Sequence, residues 1–401
     1  MNNTIVLPKS DRPVTARIHA LDVARGIAIL GTLWTNIWIF THPWGMLGYL
    51  TNPHTGDSTT AATAQLWIMA LSQGKFLALL TLLFGMGLAI QHSSAVRRGA
   101  RWPGPYLWRM TLLLLDGLIN YILIAEFDVL MGYAVTGAIV AWMILTRPRT
   151  QRLMIWIFGA LHLLLISAIA LLVASIPAGG AGSFDDSFTG ESPYATESFW
   201  GLALFRLDNA VIFRAEPVLI GFLSIAMFLV GARLHQAGIF RTEGSALRRR
   251  LMIAGAIAFP IDLALGVWGG TAGLLVERYL FAPVVALGLV GLIGEVCLRR
   301  GTDGWWARRF REVGRAALSC YLLQNLVAGA LFYGWGFGLA TQLGEWRVPL
   351  TMVGYFTVAA VVMLFAHLWL RRFEFGPVEW VWRLGTRLVP DTPSPSKIKR
   401  K

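Results

Sequence analysis

The chain has 401 residues, 56% apolar or aromatic and 14% charged, with a formal charge of +13 and a mean hydropathy of +0.59. A water-soluble domain carries about a quarter charged residues, so composition excludes a soluble globular protein, and with it the disordered, collagen-like and disulfide-rich secreted classes. Cys297 and Cys320 both fall inside apolar segments and read as small buried hydrophobes, forming neither a disulfide nor a zinc site.

Ten apolar spans follow one another: Val23–Thr41, Leu66–Gln91, Leu107–Ala125, Asp128–Leu145, Leu153–Ile176, Glu216–His235, Arg250–Trp268, Ala272–Leu298, Ala316–Trp335 and Val348–Trp369. Each holds about 18–26 mostly apolar residues, which at ~1.5 Å rise per residue crosses a ~30 Å hydrocarbon layer. Arg25 interrupts the first run and no small-residue cleavage site follows it, so that run reads as a permanent helix and not a cleaved signal peptide. Glu126 and Phe127 alone separate the third and fourth spans, which predicts a tight hairpin. The long outer connections are Thr41–Gln65 and Pro177–Asp208, the second rich in Gly, Ser, Asp and Glu. The resulting division is an N-terminal cytoplasmic segment (1–22), a five-helix membrane half (23–176), an outer polar loop (177–212), a second five-helix half (213–370) and a basic tail (371–401). Trp380 and Trp382 stand among charges in that tail, the pattern of a short interfacial helix. The final Pro-Ser-Pro-Ser-Lys-Ile-Lys-Arg-Lys has the composition of a disordered end.

All but five of the 35 Lys and Arg residues lie in the N-terminal segment, the even-numbered connections and the tail; the exceptions are Arg206, Arg214, Arg278, Arg347 and Lys75. By the positive-inside rule both termini are cytoplasmic and the number of crossings is even. Topology and contact with anionic lipid account for the basic charge, and nucleic acid is not needed as a partner. The expected architecture is an all-α, polytopic integral protein of the cytoplasmic (inner) membrane, with about ten transmembrane helices and the lipid bilayer around it.

An ionisable or amide group in hydrocarbon is costly, which makes such groups the functional candidates. Asp22, Arg25, Thr32 and Asn36 share one face of the first span, and the offset from Arg25 to Asn36 is about three turns at ~3.6 residues per turn. This stripe predicts either a groove for a polar or anionic ligand, or an Asp–Arg anchor plus an interhelical amide bond. Lys75 and Asp116 enter the bilayer from opposite sides and are expected near mid-depth, where pairing would neutralise them. Asn120 shares a face with Asp116 and, with Asp128, would line a cavity opening outward; Asp128 also suits the role of cap to the fourth helix. In the ninth span Arg315 and Ser319 form one stripe and Tyr321, Gln324 and Asn325 another, which predicts a buried polar network. Asp262 and His162 read as isolated, satisfied core residues. The sequence has no Gly-x-Ser-x-Gly elbow, Walker loop or His-Glu-x-x-His. His42 and His54 in the first outer loop, with Asp57 nearby, are the histidines placed toward an external substrate, and loop histidines are ordinarily solvated.

Leu-Asp-x-x-Arg-Gly-x-Ala-x-Leu-Gly with Asn36 beyond it resembles the opening signature of the YeiB-like family of bacterial membrane proteins. Gly74-Lys75-Phe76 followed by Leu-Leu-Phe-Gly-Met-Gly, Val-Gly-Arg-Ala-Ala-Leu-Ser-Cys-Tyr-Leu-Leu-Gln, and Phe-Gly-Pro-Val-Glu-Trp-Val-Trp-Arg at Phe375–Arg383 extend the resemblance across almost the whole chain. The family is distantly similar to transmembrane acyltransferases, which move an acyl group from a cytoplasmic donor to an acceptor at the outer side. In those relatives a histidine follows the first-helix arginine at the spacing that here separates Arg25 from Asn36. YeiB-like proteins tend to carry a histidine followed by Gly-Asp in the third-helix hairpin, where this chain has Asn120 and Phe127-Asp128. An amide cannot act as a general base, so catalysis would need His42, His54, Asp116, Asp128 or a substrate-assisted route.

The resemblance implies an acyltransferase-like protein using acyl-CoA as donor and a small or lipid-linked acceptor. Arg25 and the cytoplasmic arginines would hold donor phosphates. Lys75 and Asp116 would shape the channel, with Asp22, Arg315, Tyr321 and Gln324 completing the substrate-binding set. Asn36, Asp116, Asn120 and Asp128 are the catalytic candidates, and no metal is implied. The alternatives are a transporter or export factor gated by a Lys75–Asp116 pair, or a non-catalytic scaffold.

Overall fold

The computed structural model describes residues 19–51, 59–175 and 191–388, which are helical with no strand among them. His54, Asp57 and the ends of the chain lie outside the described residues. In chain order the helices are α1 (His19–Phe40), α2 (Gly45–Thr51), α3 (Thr59–Ala70), α4 (Lys75–Arg98), α5 (Gly104–Leu123), α6 (Leu130–Met143) and α7 (Pro148–Ser175). Four short helices follow, α8 (Pro193–Thr196), α9 (Phe199–Asp208), α10 (Ala210–Phe213) and α11 (Ala215–Leu219), and then α12 (Gly221–Gln236) and α13 (Ser245–Trp268). The chain continues through α14 (Gly270–Val276), a π-helical turn at Glu277–Phe281, α15 (Ala282–Arg300), α16 (Trp305–Arg315), α17 (Ala317–Phe332), α18 (Arg347–Leu370) and α19 (Pro377–Arg387).

Among the described residues six helical stretches are long and apolar enough to cross a membrane, and eight if two bent pairs each count as one span. Their surfaces fit that environment. In α7 only Gln151, His162, Ile166 and Ala170 are buried, while Trp156, Leu164, Leu171 and Leu172 are exposed. An apolar surface that continuous is stable against lipid and not against water. This is a helical, multi-pass membrane protein.

Three local features depart from the sequence expectation. The third and fourth spans are joined by residues 124–129, not by two residues, because Asn120 O accepts both Ile124 N–H and Ala125 N–H and closes α5 early. The helix that follows, α6, has 14 residues, about 21 Å at ~1.5 Å each. The ninth span begins at a 91° bend between α16 and α17, so the arginine-rich connection before it is an amphipathic helix rather than a loop.

α16 packs tightly across the start of α1. A Cβ on Gly26 would fall 1.9 Å from Phe310 O, and one on Gly314 would fall 1.8 Å from Asp22 O. Only glycine at both positions lets the two backbones touch, the usual device where helices meet without a hydrophobic drive between them. A second interruption divides the expected second span: residues 71–74 form a turn between α3 and α4, with Gly74 at φ 73° in the left-handed region that glycine enters without penalty. A Cβ there would meet Arg278 O at 2.4 Å, so the α3–α4 turn seats against the π-helical turn.

Charge separates the two ends of the bundle. At one end Arg233 donates to Pro148 O, Arg311 reaches His19 and Arg315 donates to Glu374 O. At the opposite end the few arginines are tied inward. Arg206 is buried against Glu126 Oε2 at 3.1 Å and donates to Ile122 O and Ile124 O. Arg214 donates to Asp128 O and lies 4.1 Å from the centre of the Tyr121 ring, and Arg347 donates to Thr41 O and Ala340 O. The segment expected as an outer polar loop at 177–212 is therefore partly structural: within its described part, α9 carries Arg206 into the core.

Candidate functional site

Two cavities lie one after the other along α1. The larger, about 670 Å³, opens at the arginine-rich end between α1, α4, α5, α17 and α19. Its walls include Arg25, Arg109, Arg315, Arg383 and Arg387, with one carboxylate, Glu379. That carboxylate is turned aside: it accepts Leu318 N–H at 2.8 Å, Ser319 N–H at 3.2 Å and the Ser319 hydroxyl, and so caps the first turn of α17. Arg383 stacks over Phe375 with 3.5 Å to the ring centre. Five guanidinium groups, one of them paired with Asp22 behind it at 3.4 Å, against one committed wall carboxylate make an anion-attracting space, and guanidinium is the group best matched to phosphate oxygens.

α19 closes this cavity. Pro377 begins it, a position where the missing N–H is no loss. Trp382, Arg383, Thr386 and Arg387 face the cavity, while Trp380, Val381, Leu384 and Leu388 are exposed on the other side. The helix is thus amphipathic, with one face toward the cavity and an exposed apolar face. Trp108 Nε1 donates to Gly385 O at 2.8 Å, and Trp382 Nε1 donates to Asp116.

The second cavity, about 420 Å³, lies further along α1 and is lined by Thr32, Thr35 and Asn36, with Tyr49, Gln73, Glu216, Arg278 and Tyr279 opposite. Arg278 donates from Nε (3.0 Å) and Nη2 (2.7 Å) to Glu216 Oε1 and from Nη1 to Gln73 Oε1 (3.0 Å). The Tyr279 hydroxyl donates to the same Glu216 oxygen at 2.9 Å, and Tyr49 and Gln73 share a 3.3 Å hydrogen bond. Burial pushes the Tyr49 phenol above its ordinary value, opposed by nearby Arg278, so it faces the cavity as a neutral hydroxyl. Among the described residues Tyr321 alone belongs to the walls of both cavities.

The sequence candidates sort onto this frame unevenly. Arg25 lies on the basic cavity and Asn36 on the polar one, at the two ends of the α1 stripe; Asp22 is buried behind Arg25 at 3.4 Å. Arg315 lines the basic cavity and Tyr321 both, whereas Gln324 is fully buried and lines neither. The expected Lys75–Asp116 pair does not form. Lys75 is the first residue of α4 and its ammonium contacts Asp262 and Glu277, while Asp116 is held by Trp382 of α19. Asp262 is therefore not an isolated core residue. Nor do Asp116, Asn120 and Asp128 share a cavity. Asn120 donates to Asp128 Oδ1 at 2.8 Å, Asp128 Oδ2 accepts Met131 N–H at 3.0 Å in the first turn of α6, and Asp128 lines only a small space of about 20 Å³. His42 is buried and accepts Trp44 N–H, and His162 Nε2 sits 3.1 Å from Tyr279 O, so neither is solvated nor on a cavity wall. The Arg278–Glu216 pair was not among the candidates, although Glu277-Arg278 interrupts an apolar run of the sequence and was the available signal.

The fold and cavities define a multi-pass membrane protein with an anion-attracting space at one end and a polar, aromatic-lined space at the other. Residues 234–389 match the family described as "Protein of unknown function (DUF418)". The chain is 31% identical over 418 residues to "Uncharacterized protein YeiB" of Escherichia coli (strain K12), covering 95% of this chain and 98% of that one. It is 29% identical over 400 residues to "Uncharacterized protein YxaH" of Bacillus subtilis (strain 168), covering 93% and 94%. The protein belongs to the YeiB-like DUF418 family.

Proposed function

We propose that this protein is an acyltransferase-like membrane protein that receives a phosphate-bearing acyl donor, such as acyl-CoA, in the basic cavity and an acceptor in the polar cavity. The observation that carries the reading is the stacking of the two cavities along α1 with Tyr321 in both walls. The excess of Lys and Arg at the basic end supports a cytoplasmic side for it, where acyl-CoA is made. Arg25, Arg109 and Arg315 hold the donor phosphates, and the acyl group points toward Tyr321. Asn36 and Tyr49 orient a small or lipid-linked acceptor. In the transfer the acceptor's hydroxyl oxygen or amine nitrogen bonds to the acyl carbon, the carbon–sulfur bond breaks, and the departing thiolate takes up the proton that the acceptor loses. Asn36 contributes hydrogen bonding and no base, so the step is substrate-assisted.

The test is transfer across a membrane. Proteoliposomes are loaded with labelled acetyl-CoA and given hydroxyl and amino acceptors outside. Labelled acceptor outside supports the reading, and intact donor or its anion appearing outside without transfer replaces it with transport. That second reading is favoured by one observation: among the described residues no histidine lines either cavity.

A further inference from the structure

Charged side chains at the arginine-poor end are paired in three places. Arg206 faces Glu126, Arg278 faces Glu216, and Arg214 lies beside Asp128. The fourth place is not matched. Lys75 Nζ contacts Asp262 Oδ2 and lies 3.3 Å from Glu277 Oε1, and the three side chains are at most 2% exposed. Lys75 also donates to Ala70 O at 2.6 Å and Gln73 O at 3.4 Å, closing the end of α3. Two carboxylates therefore surround one ammonium whose remaining bonds go to backbone carbonyls. The second oxygen of each, Asp262 Oδ1 and Glu277 Oε2, is buried without a hydrogen-bond partner. An unbalanced negative charge so far from water is not sustainable without a bound positive charge.

Among the described residues the neighbouring elements supply none that is not already committed. On the π-helical turn Arg278 and Tyr279 point to Glu216. From α7 the nearest group is His162, whose Nε2 meets Tyr279 O. α14 carries no charged residue, and those of α15 lie in its last two turns.

We propose that Lys75, Asp262 and Glu277 form a binding site for one exchangeable proton, carried on Glu277 while Asp262 pairs with Lys75. Glu277 and Arg278 are consecutive residues of a π-helical turn, a distortion that recurs at functional sites. The proton thus sits one residue behind the wall of the polar cavity. Its release puts a second full negative charge beside Arg278, in competition with Glu216 for that guanidinium. Occupancy of the polar cavity is then linked to protonation, a claim that does not depend on acyl transfer.

The test is the infrared band of a protonated carboxyl in the purified full-length protein near neutral pH, compared in H2O and D2O. Part of the band is lost in Glu277→Gln, which removes the carrier. It is lost equally in Asp262→Asn, where Glu277 ionises against Lys75, and it grows in Lys75→Met, where both acids must be neutral. A band unchanged in Glu277→Gln and Asp262→Asn overturns the proposal, and places the compensating charge elsewhere, on His162 or on a bound sodium ion. Thermal unfolding gives an independent reading. A carboxyl protonated in the folded state and ionised in the unfolded one makes stability fall as pH rises until the folded group also ionises. The midpoint of the wild-type protein therefore falls more steeply with rising pH than that of Glu277→Gln. Parallel profiles, or loss of folding in Glu277→Gln with the band intact in Asp262→Asn, contradict it.

Discussion

Arg278 on the π-helical turn and Glu216 on α11, 62 residues apart, meet at 2.7 Å in the wall of the polar cavity. Tyr279 and Gln73 add hydrogen bonds to the same pair, so one ion pair ties α11, the α3–α4 turn and the π-helical turn together. Replacing Glu216 by Gln removes the charge but not the volume. The variant is expected to lose on the order of 2 kcal/mol, the range for hydrogen bonds to charged groups in a partly buried setting. Arg278→Lys should not substitute for arginine, because a single ammonium cannot reach Glu216 and Gln73 in the same fork. Thermal unfolding in detergent measures both.

The crossing of α1 and α16 makes a second prediction. Gly26→Ala and Gly314→Ala each push a methyl into backbone that has no free end to move. Each should destabilise by about 1–3 kcal/mol, as overpacking typically does. Gly159→Ala on α7 meets nothing within 4 Å and should be neutral or stabilising by up to ~1 kcal/mol from helix propensity. Equal midpoints for Gly26→Ala and Gly159→Ala would show that the two helices do not touch there.

Glu379 joins α19 to the start of α17 and is the carboxylate left out of the phosphate-binding count. Glu379→Ala is expected to weaken helix capping by about 1 kcal/mol and to loosen α19. Limited proteolysis after Arg383 and Arg387 should then accelerate, with the rest of the bundle intact. Unchanged cleavage would mean that Trp108 and Asp116 hold α19 alone.

Sidedness is tested by labelling. Cys297 and Cys320 are buried, so single cysteines placed at Trp346 and Arg371, both exposed, report their own positions. With the basic end in the cytoplasm, an impermeant maleimide labels the Trp346→Cys protein on intact cells and the Arg371→Cys protein only after permeabilisation. The reverse pattern would invert both cavities and remove the cytoplasmic donor.

Much of this architecture was legible because lipid imposes a coarse and regular demand: long apolar runs, charge confined to connections, and an amphipathic tail around Trp380 and Trp382. The Arg25-to-Asn36 stripe was legible for the same reason, since helical spacing alone fixes a face. Lys75 was placed at mid-depth and paired with Asp116 because the count assumed one continuous helix from Leu66. The turn at residues 71–74 restarts the helix at Lys75 and sends its ammonium to residues 187 and 202 positions away. Local pattern carries no information about such partners. The partners of Arg206 and Arg278 are hidden from the sequence for a related reason. Their acids, Glu126 and Glu216, are contributed by other elements, and only the assembled bundle brings each pair together.

On the proposed reading the basic cavity receives a phosphate-bearing acyl donor. The most direct measurement is the affinity of acetyl-CoA and a longer acyl-CoA for the detergent-purified protein, compared with Arg25→Ala and Arg315→Ala at two salt concentrations. Saturable binding is expected, weakened at least about tenfold by either substitution, since charged hydrogen bonds are worth ~1.5–3 kcal/mol, and weakened further by salt. No binding at millimolar ligand by folded protein, or binding equal in wild type and both variants, would contradict it.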